Sequence, residues 1–135
     1  MKIRCKLVEN FRSIVDNTRG HSVVLDLPPT LGGEDTGPTA LELAVMGLAG
    51  CIVTIFSVVA KKMRVQIDEL EVIVDAEKPS DAKTITEIKT VINVKTPESK
   101  VKIEKIWART HEICPVGIIF EKAGLKLEPE INVTK

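Results

Sequence analysis

Cysteine is the residue type in this chain best suited to covalent chemistry, and the chain has three: Cys5, Cys51 and Cys114. A thiolate attacks peroxides and disulfides, whereas a protonated thiol buried among apolar residues is inert. Cys114 lies between titratable His111 and helix-breaking Pro115, where the backbone must leave a helix. Cys51 follows Gly50 in the most apolar run of the chain. If the chain carries out chemistry, these positions point to sulfur chemistry through Cys51 and Cys114. The apolar surroundings of Cys51 taken alone indicate a buried, unreactive thiol, whereas the helix break at Cys114 suits a reactive one as well as a buried one.

Other chemistries fit the spacing less well. A zinc site could combine the cysteines with His21 and His111, but only His111 and Cys114 have the short separation that zinc ligands typically show. The chain has no G-x-S-x-G nucleophile elbow for Ser/His/Asp hydrolysis. Gly32 and Gly33 lack the Lys-Ser/Thr ending of a phosphate loop and are expected to form a turn. We therefore expect neither a metal nor an organic cofactor.

Length and composition predict one small domain over residues 1–135. With 44% hydrophobic residues the chain can bury a core, and with 19 basic and 19 acidic residues it has a formal net charge of zero. That balance, with only 3% aromatic residues, argues against nucleic-acid binding. We interpret the apolar run from 43 to 60 as a core helix and expect no membrane attachment. Three cysteines without an export signal indicate a reducing, cytoplasmic location.

Apolar periodicity predicts an α+β arrangement. Strands are expected over 2–9, where alternation turns Cys5 toward a core, and over 21–27. After a loop rich in glycine and proline, Thr36 or Thr39 can cap a helix that runs to about Met63. Its circumference is apolar throughout, which predicts that the rest of the fold surrounds it. Gly47 and Gly50 within it predict the close approach of another backbone.

The second half is expected to form a hairpin, a broken helix and a last strand. Alternation over 65–76 and 84–94 predicts two antiparallel strands. A helix opens after Pro97, breaks at Pro115 and continues to about Phe120. A strand over 125–133 then ends the chain.

Two segments together resemble the OsmC/Ohr family of thiol proteins. Residues 31–65 read LGGEDTGPTALELAVMGLAGCIVTIFSVVAKKMRV and are similar to the family's Gly-Gly and Gly-Pro-x-x-x-Glu-Leu lead-in, followed by a helix with a small residue before its cysteine. Cys114-Pro115-Val116 is similar to the family's second cysteine in a broken helix. The expected strand order also matches from end to end, so the resemblance covers nearly the whole chain.

The resemblance implies an OsmC-like fold: antiparallel strands around a long central apolar helix, in an intertwined homodimer with two sites at the interface. It implies that Cys51 is the peroxidatic thiol and Cys114 the resolving thiol. Arg19 and Glu42 are the nearest matches to the arginine and glutamate that support the thiolate in the peroxidase branch. Leu41 stands where that branch has its glutamate, which favours an OsmC-like subgroup.

The resulting first hypothesis is a thiol-dependent reductase of organic hydroperoxides. A dithiol, for example one of lipoyl type, would regenerate it, and it would serve in oxidative stress. The second hypothesis is a dimeric binding or redox-sensing protein that holds a small hydrophobic ligand without peroxidase turnover. A third is a structural homologue whose thiols do not react in the native state.

Overall fold

The computed structural model describes all 135 residues, which divide into two compact units, Met1–Ala44 and Val45–Lys135. In chain order the elements are β1 (Arg4–Glu9), β2 (Arg12–Asp16), β3 (Ser22–Leu25), α1 (Ala40–Lys62), β4 (Glu69–Glu77), β5 (Glu87–Lys95), α2 (Lys100–Ile113), α3 (Pro115–Lys122) and β6 (Pro129–Thr134). The α+β class is confirmed.

The first unit contains an antiparallel sheet in the order β1-β2-β3. Strands β1 and β3 match the predicted ones, but the sequence interpretation missed β2. The chain turns tightly at Asn10, whose φ of 48° places it in the left-handed region. β2 then pairs along β1, from Cys5 opposite Val15 to Leu7 opposite Ser13. The two-residue turn lacks the glycine that usually identifies such a hairpin in a sequence.

The prediction that Cys5 faces a core is wrong. Every residue of β1 is exposed, Cys5 included. β1 is an edge strand of a three-stranded sheet, and apolar side chains such as Leu7, Ile14 and Val24 are open to solvent in the single chain. Alternation identifies an apolar face but does not say whether the same chain covers it.

The second unit contains a sheet in the order β4-β5-β6. β4 and β5 form the predicted antiparallel hairpin, with Ile73 opposite Val91. β6 pairs with β5 in parallel, so the expectation of antiparallel strands is wrong for this pair. Helices α2 and α3 lie between β5 and β6 in the chain, and such a crossover allows parallel pairing.

The core lies between one face of this sheet and the helices. β5 alternates buried and more exposed residues along its length. Its inward side chains join buried residues of α1 and α2 in one cluster, which includes Ile88, Ile92, Val94, Leu48, Ile52, Phe56, Ile103 and Ile106. Phe56 is fully buried and is one of the largest side chains in the cluster. Packing of this cluster fixes α1 and α2 against the same sheet.

α1 begins where the sequence predicted. The Thr39 hydroxyl accepts a hydrogen bond from the Glu42 N–H at 3.2 Å, and the Glu42 carboxylate accepts one from the Thr39 N–H at 2.7 Å. This capping box satisfies two N–H groups at the start of the helix. α1 is also long and apolar enough to cross a membrane, a property that it shares with core helices of soluble proteins.

The prediction that the fold surrounds α1 is wrong for the single chain. One face is buried, but the other is open, with Met46 56% and Val58 41% exposed. A methyl group placed on Gly47 or Gly50 would have no neighbour within 4 Å, so the expected close backbone approach is absent within the chain. Within the second unit, the other elements cover only one side of the helix.

Candidate functional site

Cys51 is a half-buried residue in the middle of α1. It packs beside the core cluster that contains Ile52 and Leu48. The helix is held at its start by the capping box and along its buried face by the core, so the cysteine is carried on a rigid element.

Cys114 joins α2 to α3. Its N–H donates to the Thr110 carbonyl at 2.9 Å and completes α2, while its carbonyl accepts from the Ile118 N–H at 3.0 Å and starts α3. Pro115 has no N–H with which to continue α2, yet it suits the first position of α3. The Cys114 sulfur accepts from the Gly117 N–H at 3.4 Å. The break at Cys114-Pro115 is thus where the sequence predicted it.

The structure brings the two sulfur atoms together. Cys114 Sγ donates to Cys51 Sγ across 3.1 Å, although the residues are 63 positions apart. Both cysteines are free thiols in this arrangement, whereas a disulfide bond between them would be about 2.05 Å long. Closing the bond requires an approach of about 1 Å. The two cysteines therefore form a close pair of thiols.

Burial raises the pKa of the Cys114 thiol to about 11, and its hydrogen bond to Cys51 acts in the same direction. The N–H groups of Gly117 and Val116 at the start of α3 oppose this shift. Burial is the larger effect, because the Cys114 side chain is almost fully excluded from water. Cys114 thus keeps its proton at neutral pH and presents it to Cys51.

Arg19 and Glu42, the two proposed supporting residues, lie in the first unit. Arg19 is exposed in the turn between β2 and β3, where its N–H donates to the Asn17 side chain and its guanidinium has no partner. Glu42 is exposed in the first turn of α1, and its hydrogen bonds with Thr39 lower the pKa of the carboxylate. The capping box is the one role that the single chain gives Glu42.

Asp26 organises the loop before α1, a role that the sequence analysis missed. This buried carboxylate accepts hydrogen bonds from the Leu27, Glu34 and Thr36 N–H groups and from the Thr36 hydroxyl. These bonds, led by the one from the Thr36 hydroxyl, hold the pKa of Asp26 at about 2. Arg12 extends the network by donating to Thr36 and Glu34. An acidic residue two positions before a pair of prolines was the only signal in the sequence.

Glycines let this loop fold against β3, as expected of a turn. A methyl group on Gly33 would lie 1.9 Å from the Leu27 carbonyl oxygen, and one on Gly37 would lie 2.2 Å from that of Val24. No group of three or more His, Cys, Asp or Glu side chains is arranged to hold a metal ion.

Comparison with known proteins decides the family. The OsmC-like protein family model matches residues 32–130, a span that includes both Cys51 and Cys114. The chain belongs to the OsmC-like family. No curated protein matches it by sequence.

Solved structures of OsmC-like and Ohr proteins share this fold. An OsmC-like protein from Mycoplasma pneumoniae superposes with a TM-score of 0.83 at 20% identity, covering 98% of this chain and 94% of the other. An organic hydroperoxide resistance protein OsmC from Legionella pneumophila gives 0.69 at 15% identity, covering 100% and 98%. The organic hydroperoxide resistance protein OhrB of Bacillus subtilis gives 0.63 at 19% identity, covering 98% and 96%. At these identities the likeness is one of fold.

Proposed function

We propose that this OsmC-like protein reduces organic hydroperoxides by a two-cysteine mechanism, with Cys51 as the peroxidatic thiol and Cys114 as the resolving thiol. The observation that carries the proposal is the contact of 3.1 Å between the two sulfurs, with Cys114 as donor. Two of the three structural neighbours named above are described as organic hydroperoxide resistance proteins, which is consistent with this chemistry.

The difference in burial between the two thiols supports these roles. Cys114, whose pKa is raised to about 11, remains the protonated partner. The more exposed of the two thiols is also Cys51, so peroxide can reach it first.

The first step is attack by the Cys51 thiolate on one peroxide oxygen. The S–O bond forms as the O–O bond breaks, the alkoxide takes up a proton and leaves as an alcohol, and Cys51 becomes a sulfenic acid. Sulfur is oxidised by two electrons and the peroxide is reduced by two. Apolar surroundings favour peroxides with an alkyl group, because about 25 cal/mol is gained for each Å² of apolar surface removed from water.

The second step is attack by Cys114 on the Cys51 sulfenic acid. The S–S bond forms and hydroxide departs, taking the Cys114 proton to leave as water. The Gly117 N–H stabilises the charge that develops on the Cys114 sulfur. A small dithiol, such as one of lipoyl type, then reduces the disulfide by thiol exchange and is itself oxidised to a disulfide. A reducing cytoplasm would keep this dithiol in its reduced form.

We further propose a homodimer that covers the open face of α1. This face carries Met46 and two hydroxyl residues that bond within the helix, Thr54 to the Gly50 carbonyl and Ser57 to the Val53 carbonyl, both at 2.8 Å. With their hydroxyls satisfied, these residues can be buried without an unpaired polar group. Arg19 and Glu42 would support the thiolate in that assembly.

Charge placed on the α1 face tests the dimer. Met46→Lys should shift the protein from dimer to monomer in sedimentation velocity, because a buried ammonium has no partner there. Ile73→Lys is the control. Ile73 is 48% exposed on the outer face of β4, so this variant should remain a dimer. A wild-type monomer, or a Met46→Lys variant that dimerises like wild type, would contradict the proposal.

Turnover tests the enzymatic function. Purified protein with a dithiol reductant should consume cumene hydroperoxide, and Cys51→Ser should lose this activity. Cys114→Ser should form the sulfenic acid once but no intramolecular disulfide. Cys5→Ser is the matched control, because Cys5 is exposed on β1 and has no part in the proposed chemistry.

The open apolar face of α1 also suits the second function, a binding or redox-sensing protein. Saturable binding of a small hydrophobic ligand by Cys51→Ser, together with a wild-type protein that does not consume hydroperoxide, would favour that function over the peroxidase.

A further inference from the structure

A single side-chain hydrogen bond joins the two helices that meet at Cys114. It links His111 Nε2 of α2 to Glu121 Oε1 of α3 at 2.6 Å. The other side-chain hydrogen bonds that α2 and α3 make lie along the chain within about one turn, as between Arg109 and Glu112. The His111–Glu121 pair therefore bridges the break that Pro115 introduces.

The surroundings of this pair hold it in place while leaving it accessible. The Trp107 indole lies against the His111 imidazole, with ring centroids 5.5 Å apart. The two paired side chains are 39% and 34% exposed. They line a surface cavity of about 300 Å³ together with the charged residues Lys126 and Glu128. The bond is partly shielded from water, which strengthens a contact that involves a carboxylate.

The pair lies where it can control the angle between the helices. Cys114 is both the last cap of α2 and the first cap of α3, and its sulfur is fixed by the Gly117 N–H of α3. A change in the direction of α3 therefore moves the donor that holds the sulfur. Closing the disulfide depends on an approach of about 1 Å, so a small pivot at Cys114 matters.

We propose that His111 and Glu121 are positioning residues for the resolving thiol, and that their bond sets how readily Cys114 forms a disulfide with Cys51. The proposal rests on the two-cysteine function. By clamping α3 onto α2, the pair keeps the Cys114 sulfur in reach of Cys51 and raises the effective concentration of one thiol toward the other.

Equilibration with a small dithiol couple measures this effect directly. The reduced protein gives up two electrons and two protons to oxidised dithiothreitol, which becomes reduced dithiothreitol as the Cys51–Cys114 disulfide forms. Acid quenching, thiol alkylation and mass spectrometry give the oxidised fraction at each ratio of the couple. The midpoint ratio yields the equilibrium constant of disulfide formation without any peroxide.

Five variants separate positioning from general stability. Glu121→Ala and His111→Ala should each lower the equilibrium constant roughly tenfold, the loss expected for a charge-assisted hydrogen bond. Glu121→Gln keeps an acceptor oxygen but loses the charge, so it should lower the equilibrium constant only about threefold. Glu112→Ala is the matched control, because Glu112 bonds only to Arg109 within α2 and should behave as wild type. The double variant of His111 and Glu121 should lower the equilibrium constant no more than either single variant does.

Two results would overturn the proposal: wild-type equilibrium constants in Glu121→Ala and His111→Ala, or an equal loss in Glu112→Ala. Far-UV circular dichroism checks that each variant is folded, because Trp107 lies against His111 and its emission would change with that side chain. If Glu121→Ala does not fold, Glu121→Asp, which draws the carboxylate back by one methylene, must show an intermediate loss. The equilibrium constant of disulfide formation can be measured even if the protein does not turn over peroxide. The positioning proposal and the peroxidase proposal can therefore be refuted independently.

Discussion

Oxidation of the Cys51–Cys114 pair should stabilise the protein strongly. The perturbation is one equivalent of oxidant on the reduced protein, with the free thiols of both states counted by mass. The two residues are 63 positions apart, so the bond closes a long loop in the unfolded chain. The chain-entropy relation gives about 4 kcal/mol for a loop of this size. The native sulfurs need move only about 1 Å, so native-state strain should remove little of that gain.

Thermal unfolding is the assay. For a chain of this length, about 4 kcal/mol corresponds to an increase in Tm of roughly 10 to 15 °C. The oxidised and reduced proteins are compared at one protein concentration, because the proposed dimer would make Tm depend on concentration. Cys5→Ser should show the full increase, and Cys114→Ser should show none. Complete intramolecular oxidation with an unchanged or lower Tm would refute the reasoning, because it would mean that the native state must distort to close the bond.

Three further predictions concern pH and the loop before α1. The pKa of Asp26 is held at about 2 in the folded state, against an ordinary value of 3.8. The stability that its carboxylate contributes should therefore be present above pH 4 and lost as the pH falls toward 2. In urea unfolding, the free energies of unfolding of wild type and Asp26→Asn should become equal near pH 2. The pKa of Cys114 is raised from 9.0 to about 11, so the reduced protein should lose stability between pH 9 and 11 more steeply than Cys114→Ala. A methyl group on Gly33 would overlap the Leu27 carbonyl, so Gly33→Ala should cost about 2 kcal/mol or more in urea unfolding, whereas Thr30→Ala in the same loop should stay within about 0.5 kcal/mol of wild type.

Local patterns in the sequence predicted the elements that depend on near neighbours. The capping site at Thr39, the hairpin of β4 and β5 and the helix break at Pro115 all follow from residues within a few positions of one another. The glycine turn before α1 was predicted in the same way. Such features need only propensity, turn chemistry and capping.

Features that depend on residues far apart in the chain could not be predicted from local patterns. Alternation gives a strand its two faces but not the direction of its partner, so the parallel pairing of β6 was missed. The open face of α1 and the exposure of Cys5 depend on what the rest of the chain covers. The bond between His111 and Glu121 requires a turn at Cys114 that brings α3 back along α2. The pairing of Cys51 with Cys114 was suggested by family resemblance, not by periodicity.

Trapping of the sulfenic acid tests the central claim most directly. Cys114→Ser protein is treated with one equivalent of cumene hydroperoxide in the presence of dimedone, and the adduct is located by peptide mass spectrometry. The account predicts one adduct, on Cys51, that forms faster with cumene hydroperoxide than with hydrogen peroxide. An unmodified Cys51, or an adduct on the exposed Cys5 alone, would contradict it.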